Sequence, residues 1–412
     1  MRGRTNADAG VQFNAIVKDC IIADGNTIVA GDFVQTTYNP SAGGNLDHVG
    51  DYNNLCELDN GNLLQVYGST NATYSVYEKQ TLTLVSDGTL AGSGSVTDKS
   101  KLVNIGNNKI AFLTYQGLAL KATLLIYNPS TNNVTVSKSL TINGNTTEGY
   151  FDAVKYADST VAVFDNGDVI VANLDSETII ETTISNTNHT YGSRIYKYGT
   201  NKLVVLTAGQ YFTVSVSSSS ITLLSRTSSA PTGSSYSYYD YVRIDNNTFY
   251  GYAFKSTQTN TKSYALIKVN SDDTVTFTYS QESVSSAIYT QGFQIESGQA
   301  VLFRLNNNKL YVANLITEME TITPVFEELY NIGSYSSPQM LFLQLSDNSI
   351  FKFFYKISTT LNYMILYYAD NNIDIGQDTI YVKAFSSYIS GVAKQSGNAG
   401  DQIEVYIPQV SS

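Results

Sequence analysis

The stretch Leu58-Asp-Asn-Gly-Asn-Leu63 sets a four-residue polar turn between two apolar residues. This turn phrase occurs seven times, and the first residues of successive copies lie 47, 51, 42, 46, 51 and 50 positions apart. Asp, Asn, Gly and Ser suit the tight turns that join antiparallel strands. One structural unit per interval is therefore predicted. The other six copies are Ile105–Ile110, Tyr156–Val161, Tyr198–Leu203, Ile244–Phe249, Ile295–Ala300 and Leu345–Ile350.

A second hairpin pattern follows the turn phrase inside the repeat. It is clearest in Thr123-Leu-Leu-Ile-Tyr-Asn-Pro-Ser-Thr-Asn-Asn-Val-Thr-Val136 and in Tyr264-Ala-Leu-Ile-Lys-Val-Asn-Ser-Asp-Asp-Thr-Val-Thr-Phe277. Two hairpins make four antiparallel strands in roughly 40 to 50 residues, which is the size of one propeller blade. Seven copies predict a seven-bladed β-propeller over residues 49–376. A β-helix or a pair of stacked sandwiches is the alternative.

The composition favours an all-β fold. The chain has 32 Tyr and 17 Phe but no Trp, and aromatic residues suit pleated, half-buried strands. The best helix candidate is the stretch 315–329, and its Thr and Pro content argues against a helix there. Because Trp is absent, we expect Tyr, Phe, Leu and Val to fill the space between blades.

The two ends of the chain differ in texture from the repeats. Residues 1–48 and 377–412 both contain short apolar runs separated by glycine turns. Neither piece is long enough to bury a core by itself, but the two together are. The sequence therefore predicts a small β-barrel built from both ends, into which the propeller is inserted.

The end segments carry a resemblance to a known class of protein. Ala30-Gly-Asp-Phe-Val34, Ile389-Ser-Gly-Val-Ala393 and Ala399-Gly-Asp401 resemble the small β-barrel modules of tailed-phage virion proteins, the head fibres and capsid decorations. The resemblance covers about 60 of the 412 residues, and the propeller-sized insertion departs from the simple modules. Other small barrels rich in Gly-Asp pairs have the same pattern. The resemblance implies a virion-docking barrel that includes Gly31, Asp32, Phe33, Gly391, Val392, Gly400 and Asp401.

The charge balance bears on the choice of partners. The chain has 24 basic and 35 acidic residues, a net charge of −11, and no dense cluster of Lys and Arg. Binding to nucleic acid or to an anionic membrane needs such a cluster, so neither is expected as a partner. No run of about 18 apolar residues predicts a membrane span, and the N-terminal segment has no secretory signal pattern.

Few residues suggest catalysis or metal binding. The two histidines, His48 and His189, fall in polar loops, and Cys20 and Cys56 lack metal-type spacing and are interpreted as small apolar residues. The acidic turn Asp165–Asp168 lacks the full ligand spacing of a calcium loop. We therefore predict no cofactor and no metal.

The residues that a glycan-cleaving propeller would need are also sparse. The inner hairpins contain few Asp or Glu residues outside their turns, and the arginines are predicted to fall in four different blades or loops. An enzyme is not expected; the enzyme alternative requires such residues from different blades to converge on the propeller axis. These arginines are Arg194, Arg226, Arg243 and Arg304.

The stretch Ser234-Ser-Tyr-Ser-Tyr-Tyr-Asp-Tyr241 is the best candidate for a binding surface. A tyrosine combines a flat apolar ring with a hydroxyl, which suits sugar stacking or protein docking. In a strand, Tyr236 and Tyr238 would face one side and Tyr239 and Tyr241 the other. The alternative is that these rings fill the wedge between blades.

The function predicted from these features is that of a non-enzymatic phage virion structural protein. Its barrel would dock on the particle, and its propeller would bind a glycan or a protein of the host surface. The expected partners are other virion proteins and further copies of the same chain, which would be assembled in the bacterial cytoplasm and displayed on the virion. A purely structural decoration and a glycan-cleaving propeller are the alternatives.

Overall fold

A computed structural model describes residues 53–331 apart from the intervals 69–70, 79–82, 98, 145–150, 185–191, 208–209, 228–237, 256–260, 284–288, 307–308 and 318–321. Outside 53–331 it describes Ser396 and the strands named below, and side chains are described for most residues between 54 and 328. The described residues form strands, turns and bends, with no helix among them. Within the candidate helix at 315–329, residues 315–316 end one strand and residues 327–329 begin another.

Thirty-five strands are described, numbered in chain order. The N-terminal strands are β1 Ala15–Ile22, β2 Thr27–Ile28 and β3 Phe33–Thr37. The next twelve are β4 Asn53–Glu57, β5 Leu63–Tyr67, β6 Thr73–Tyr77, β7 Leu84–Thr89, β8 Lys101–Gly106, β9 Lys109–Gln116, β10 Ala119–Asn128, β11 Asn133–Asn143, β12 Phe151–Ala157, β13 Thr160–Asp165, β14 Asp168–Asn173 and β15 Thr178–Thr183. Then follow β16 Arg194–Gly199, β17 Lys202–Leu206, β18 Tyr211–Val216, β19 Ile221–Arg226, β20 Tyr238–Arg243, β21 Thr248–Lys255, β22 Thr261–Val269, β23 Val275–Ser283, β24 Tyr289–Glu296, β25 Gln299–Asn306, β26 Lys309–Ile316 and β27 Glu327–Asn331. The last eight are β28 Ser337–Gln344, β29 Ile350–Ile357, β30 Thr360–Ala369, β31 Asn372–Ile375, β32 Ile380–Ala384, β33 Gly391–Ala393, β34 Gly397–Asn398 and β35 Gln402–Pro408.

Strands β4 to β31 form seven consecutive four-stranded sheets, each with its strands paired in chain order. Six of the seven turn phrases join the first and second strands of a sheet, from β4 and β5 to β24 and β25. The seventh phrase, at 345–350, lies largely outside the described residues. The prediction that each turn phrase marks one repeating unit is therefore confirmed for these six copies.

First strands of neighbouring sheets contact one another, as in the pairs β4 with β8, β8 with β12, β12 with β16, β20 with β24, and β24 with β28. These strands therefore lie innermost, and the other three strands of each sheet extend outward, which is the arrangement of a β-propeller. The prediction of an all-β propeller is confirmed. The number of blades in the closed wheel and the limits 49 and 376 stay predictions, because side chains are described in six of the sheets, those made of β4 to β27.

The apolar core lies between the sheets. Each described cluster is shared by two consecutive sheets. Along β9, Ile110 and Phe112 pack against the first sheet, whereas Ala111 and Leu113 pack against the third. Because side chains alternate along a strand, the middle strands bury both faces, and every residue of β13 is buried. The fourth strands, such as β15, alternate between half-buried and exposed residues and form the rim.

Aromatic rings fill much of the space between sheets. The ten largest fully buried side chains are all Tyr or Phe. Two examples show buried tyrosine hydroxyls with acceptors: Tyr250 donates to the carbonyl oxygen of Ile322 at 2.6 Å, and Tyr77 donates to Gln65 Oε1 at 3.0 Å. A buried tyrosine needs such a partner to offset the loss of water. The expectation that Tyr and Phe replace Trp between the blades is confirmed.

The strands of the two chain ends pair with one another. The order β1-β32-β3-β33-β35 forms a closed barrel, and β2 pairs with β34. Of the residues that carry the phage resemblance, Phe33 lies opposite Val392, and Gly391 lies opposite Val34. Gly31, Asp32, Gly400 and Asp401 lie outside the described residues. The role of this barrel in virion docking stays a prediction.

Cys56 is a buried free thiol, 7% exposed, in the cluster between the first two sheets. Burial raises the pKa of its thiol to about 12, and the nearby Glu57 and Asp59 add to the shift. It is therefore a small apolar residue, as expected. Cys20 lies on β1, and its side chain lies outside the described residues.

We predict that Gly292→Ala destabilises the propeller. A Cβ at Gly292, on β24, would lie 2.6 Å from Val242 Cβ and 2.8 Å from Leu302 Cδ2. Val242 Cβ is fixed by its backbone, so neighbouring inner strands would have to separate. The free energy of unfolding, measured by urea denaturation, should fall by about 2 kcal/mol. Gly144→Ala, where nothing lies within 4 Å of the added Cβ, is the control and should leave it unchanged.

Candidate functional site

A cavity of about 470 Å³ opens where the innermost strands begin. We call it the central pocket. Five consecutive inner strands, β8, β12, β16, β20 and β24, contribute to its wall together with the segments that precede β8 and β16. Its lining residues are Lys99, Ser100, Lys101, Phe151, Asp152, Ala153, Val154, Gly192, Ser193, Arg194, Ile195, Tyr196, Asp240, Tyr241, Gln291 and Gly292.

Charged residues alternate in sign around this pocket. Lys101, Asp152, Arg194 and Asp240 come from four consecutive inner strands. Each lies four positions before the first residue of its turn phrase. The same position in each sheet is therefore brought to the same end of the axis. Gln291 occupies this position in the next sheet.

Arg194 holds the two carboxylates together. Its Nε lies 2.7 Å from Asp240 Oδ1, and its Nη2 donates to Asp240 Oδ2 at 3.0 Å, which is the two-pronged geometry that a guanidinium prefers. Its Nη1 lies 3.9 Å from Asp152 Oδ1. Asp152 is also paired with Lys101 and accepts the backbone N–H of Ile195 at 2.9 Å.

The pKa values of the two carboxyl groups are shifted in opposite directions. For Asp152, burial is the largest effect and would raise the pKa, but Lys101, Arg194 and the Ile195 N–H together hold the pKa below its usual range. For Asp240, burial raises the pKa, and the attraction of Arg194 only partly opposes this. The hydroxyl of Tyr252 lies 3.0 Å from Asp240 Oδ2 and adds a hydrogen bond. The pocket thus contains one carboxylate stabilised as an anion and one held closer to protonation.

The cations of the pocket are more accessible than its carboxylates. The side chains of Lys101 and Arg194 are 38% and 33% exposed, whereas those of Asp152 and Asp240 are 4% and 5% exposed. Solvent and ligands therefore meet positive charge first. The buried carboxylates orient these cations from behind.

A second buried cluster lies at the turn between β13 and β14. Asp165, 1% exposed, accepts the Tyr115 hydroxyl at 2.5 Å and Asn143 Nδ2 at 3.0 Å. Asp168 accepts the Thr183 hydroxyl at 2.7 Å. Burial and the neighbouring charge of Asp168 raise the pKa of Asp165 to about 6, against the lowering effect of the Tyr115 hydrogen bond. The cluster joins the second and third sheets, since Tyr115 and Asn143 belong to one and both aspartates to the other.

The described residues contain no group of three or more His, Cys, Asp or Glu side chains placed to hold a metal ion. They also contain no helix long and apolar enough to cross a membrane. His48 and His189 lie outside the described part of the chain.

The last two residues of the tyrosine stretch, Asp240 and Tyr241, line the pocket. Tyr241 lines the pocket wall, but its ring is 2% exposed, it meets Tyr211 edge-on at 6.0 Å, and its hydroxyl donates to the carbonyl oxygen of Thr207 at 2.7 Å. For Tyr241 the ring thus fills the space between sheets. Tyr238 and Tyr239 lie on β20, and their side chains, like the whole of Tyr236, lie outside the described residues. Display of those three rings stays a prediction.

Two sequence interpretations need correction. The inner hairpins were expected to have few carboxylates outside their turns, yet Asp152 and Asp240 lie on the inner strands β12 and β20. The four arginines were expected in four blades or loops, but Arg194 and Arg226 share one sheet. Of the four, only Arg194 lines the pocket. The sequence signal that marks Lys101, Asp152, Arg194 and Asp240 is their fixed distance from the turn phrase.

Comparison with known proteins supports the fold alone. No family model matches the chain, and no curated protein matches it. Similar solved structures include a protein from Lactobacillus plantarum, with 11% identity over 78% of this chain and 98% of that chain and a TM-score of 0.53. They also include U3-55K, with 8% identity over 79% and 99% and a TM-score of 0.53. A third is virginiamycin B lyase from Staphylococcus aureus, with 13% identity over 80% and 99% and a TM-score of 0.50.

We predict that Asp152→Asn destabilises the protein by about 3 kcal/mol at pH 7, because it leaves Lys101 without its partner and weakens the surroundings of Arg194. Since folding lowers the pKa of Asp152, its contribution is complete above the unfolded pKa of about 4 and is lost as the pH falls through the folded pKa. Urea denaturation at several pH values should show that the free energies of unfolding of the native protein and of Asp152→Asn converge below about pH 4. A constant difference would contradict this account.

We predict that Asp165→Asn stabilises the protein at alkaline pH. Folding raises the pKa of Asp165 to about 6, so stability should fall as the pH rises from about 4 to that value. Asn keeps groups that can bond Tyr115 and Asn143 and removes the charge beside Asp168. Thermal unfolding should show a gain of roughly 1 to 3 kcal/mol at pH 8 and almost none at pH 4. Parallel curves for the two proteins would count against a raised pKa.

Proposed function

We propose that this chain is a non-enzymatic binding protein whose propeller presents the central pocket to a ligand on a cell surface, and whose barrel attaches it to a particle. The observation that carries this proposal is the exposure pattern of the pocket: accessible cations stand in front of buried, ion-paired carboxylates. Such an arrangement fixes the direction of charged groups before a ligand arrives, which reduces the cost of binding.

The rigidity of the wall supports binding. Most of the pocket residues lie on inner strands, and the strand next to β12, β13, is fully buried from Val161 to Phe164. Arg194 is held by two bonds to Asp240, so little side-chain freedom is lost when a ligand contacts it. Clefts of this volume are typical of small-molecule sites.

Attachment to a phage particle is proposed from the end segments. Phe33, Gly391 and Val392, which carry part of the resemblance to phage barrel modules, lie on the neighbouring barrel strands β3 and β33. A seven-bladed wheel inserted into that barrel would be held by both of its ends and directed away from the particle. Antibodies against the chain should then label phage particles in electron micrographs, and a lack of label would remove this part of the proposal.

Avidity would allow firm attachment to a surface even if each single pocket binds its ligand weakly. Many copies on one particle, or a homo-oligomer, would bind a surface jointly even when each pocket binds weakly. A purely structural decoration is the alternative, in which the propeller contacts only neighbouring virion proteins.

A glycan-cleaving activity has one observation in its favour. Burial raises the pKa of Asp240, and a carboxyl group with such a shift inside a cleft is a candidate general acid. The similar solved structure of virginiamycin B lyase is that of an enzyme by name, but at 13% identity it supports the shared fold only. Against catalysis, the only two carboxylates in the described pocket lining are both bonded to arginine or lysine. Release of reducing sugar ends by the full chain, abolished in Asp240→Asn, would favour the enzyme.

We predict that the fluorescently labelled full-length chain binds bacterial cells through the pocket. Lys99→Glu, which places a negative charge at the pocket wall, should reduce the cell-associated signal in flow cytometry by about tenfold. Lys268→Glu is the matched control, because Lys268 is exposed on β22 beside Thr248, near the opposite ends of the strands.

Equal loss in both variants would indicate an effect of net charge alone. Binding unaffected by Lys99→Glu would move the site elsewhere. Binding to no strain in a panel of Gram-positive and Gram-negative bacteria would favour the purely structural role.

A further inference from the structure

We infer that the ligand of the central pocket is an acidic sugar, whose carboxylate meets the pocket cations and whose ring lies on Phe151. This inference rests on the proposed function and names the class of ligand. It is carried by three features of the described residues: the sign of the accessible charge, an unpartnered buried hydroxyl, and a pocket wall that contains both an aromatic ring and an amide.

The accessible charge of the pocket is opposite in sign to that of the chain. The protein carries a net charge of −11, yet the pocket wall holds three cations, Lys99, Lys101 and Arg194, against Asp152 and Asp240. Both aspartates are almost completely buried, whereas Lys101 and Arg194 are about a third exposed. An anionic group therefore gains attraction here that a neutral group lacks, in a cleft whose walls exclude part of the solvent.

Ser193 supplies a donor that has no other use. It lines the pocket next to Arg194, is 4% exposed, and its hydroxyl has no hydrogen-bond partner. A buried hydroxyl without a partner costs free energy. Rotation about its Cα–Cβ bond would let it donate to a ligand oxygen, which removes that cost. A carboxylate, which only accepts hydrogen bonds, is the matching group.

The remaining wall suits a sugar ring better than a simple anion. Phe151 is half-buried at the pocket, and the ring of Tyr115 meets it at 5.8 Å and 70°, which fixes its orientation. The C–H face of a sugar packs against such a ring. Gln291 offers an amide that forms no hydrogen bond with the described residues, and its donor and acceptor atoms suit sugar hydroxyls.

The test uses the full-length chain and two matched probes, methyl glucuronide and methyl glucoside, which differ in the carboxylate. Titration calorimetry at low salt should show binding of the glucuronide, with the glucoside at least about tenfold weaker. The glucuronide affinity should fall as sodium chloride is added. Equal affinity for both probes, or binding of neither, would overturn the acidic-sugar inference.

Three variants place the ligand in the pocket. Ser193→Ala should lower the glucuronide affinity by about fivefold without lowering the unfolding temperature, because the hydroxyl it removes has no partner in the free protein. Lys99→Gln should also lower the affinity, and Lys268→Gln, on an exposed part of β22, should leave it unchanged. Unchanged affinity in both pocket variants would show that the sugar binds elsewhere and would also overturn the inference.

The two proposals fail in different ways. If the chain binds cells in a manner that depends on Lys99 but does not bind the glucuronide, the binding function stands and the ligand class is wrong. If the chain binds the glucuronide but no cell, the ligand class stands and the cell-surface function is wrong.

Discussion

The packing of sheet against sheet is the constraint on which this structure depends. Among the sheets whose side chains are described, none has a core of its own, because each described apolar cluster takes its residues from two neighbouring sheets. A middle strand such as β13 has to be apolar on both faces, and its residues are all buried. Each fully buried Leu, Val or Phe contributes about 1.5 to 3 kcal/mol, and it does so only if the adjacent sheet is in place. Each sheet of the propeller is therefore stabilised by its contacts with the sheets on either side.

The same packing brings a polar site to the axis. The innermost strands have neighbours on both sides, and charged residues from four of them meet where the central pocket opens. Asp152 and Asp240 are buried, and each would be costly without a partner. Arg194 serves both, which is why a single guanidinium joins three sheets. A site of this kind is oriented by pairs of charges and does not rely on a flexible loop.

Much of the fold could be read from the spacing of one turn. The polar turn between the first two strands is rich in Asp, Asn, Gly and Ser, so it recurs visibly along the sequence. In the structure Asn107, Asn108 and Asn201 in these turns have positive φ. The pocket was harder to find, because Asp152 and Asp240 are embedded in ordinary strand sequence and only their common distance from the turn reveals them. Tyr241 shows the reverse difficulty. The tyrosine-rich sequence around it suggests an exposed ring, whereas the ring is buried against Tyr211 and its hydroxyl bonds to Thr207, both from the preceding repeat. Sequence alone does not give the contacts between one repeat and the next.

The barrel has a consequence for the synthesis of the chain. Its strand order places β1 between β35 and β32, and β3 between β32 and β33, so the two N-terminal strands do not pair with each other. Ala15 lies opposite Pro408, almost the full length of the chain away. On a ribosome, β1 and β3 therefore wait for their hydrogen-bonding partners until residues 380 to 408 have been translated, by which time the blades have had the opportunity to fold. Until then, these early strands expose unpaired edges of the kind that chaperones protect from aggregation.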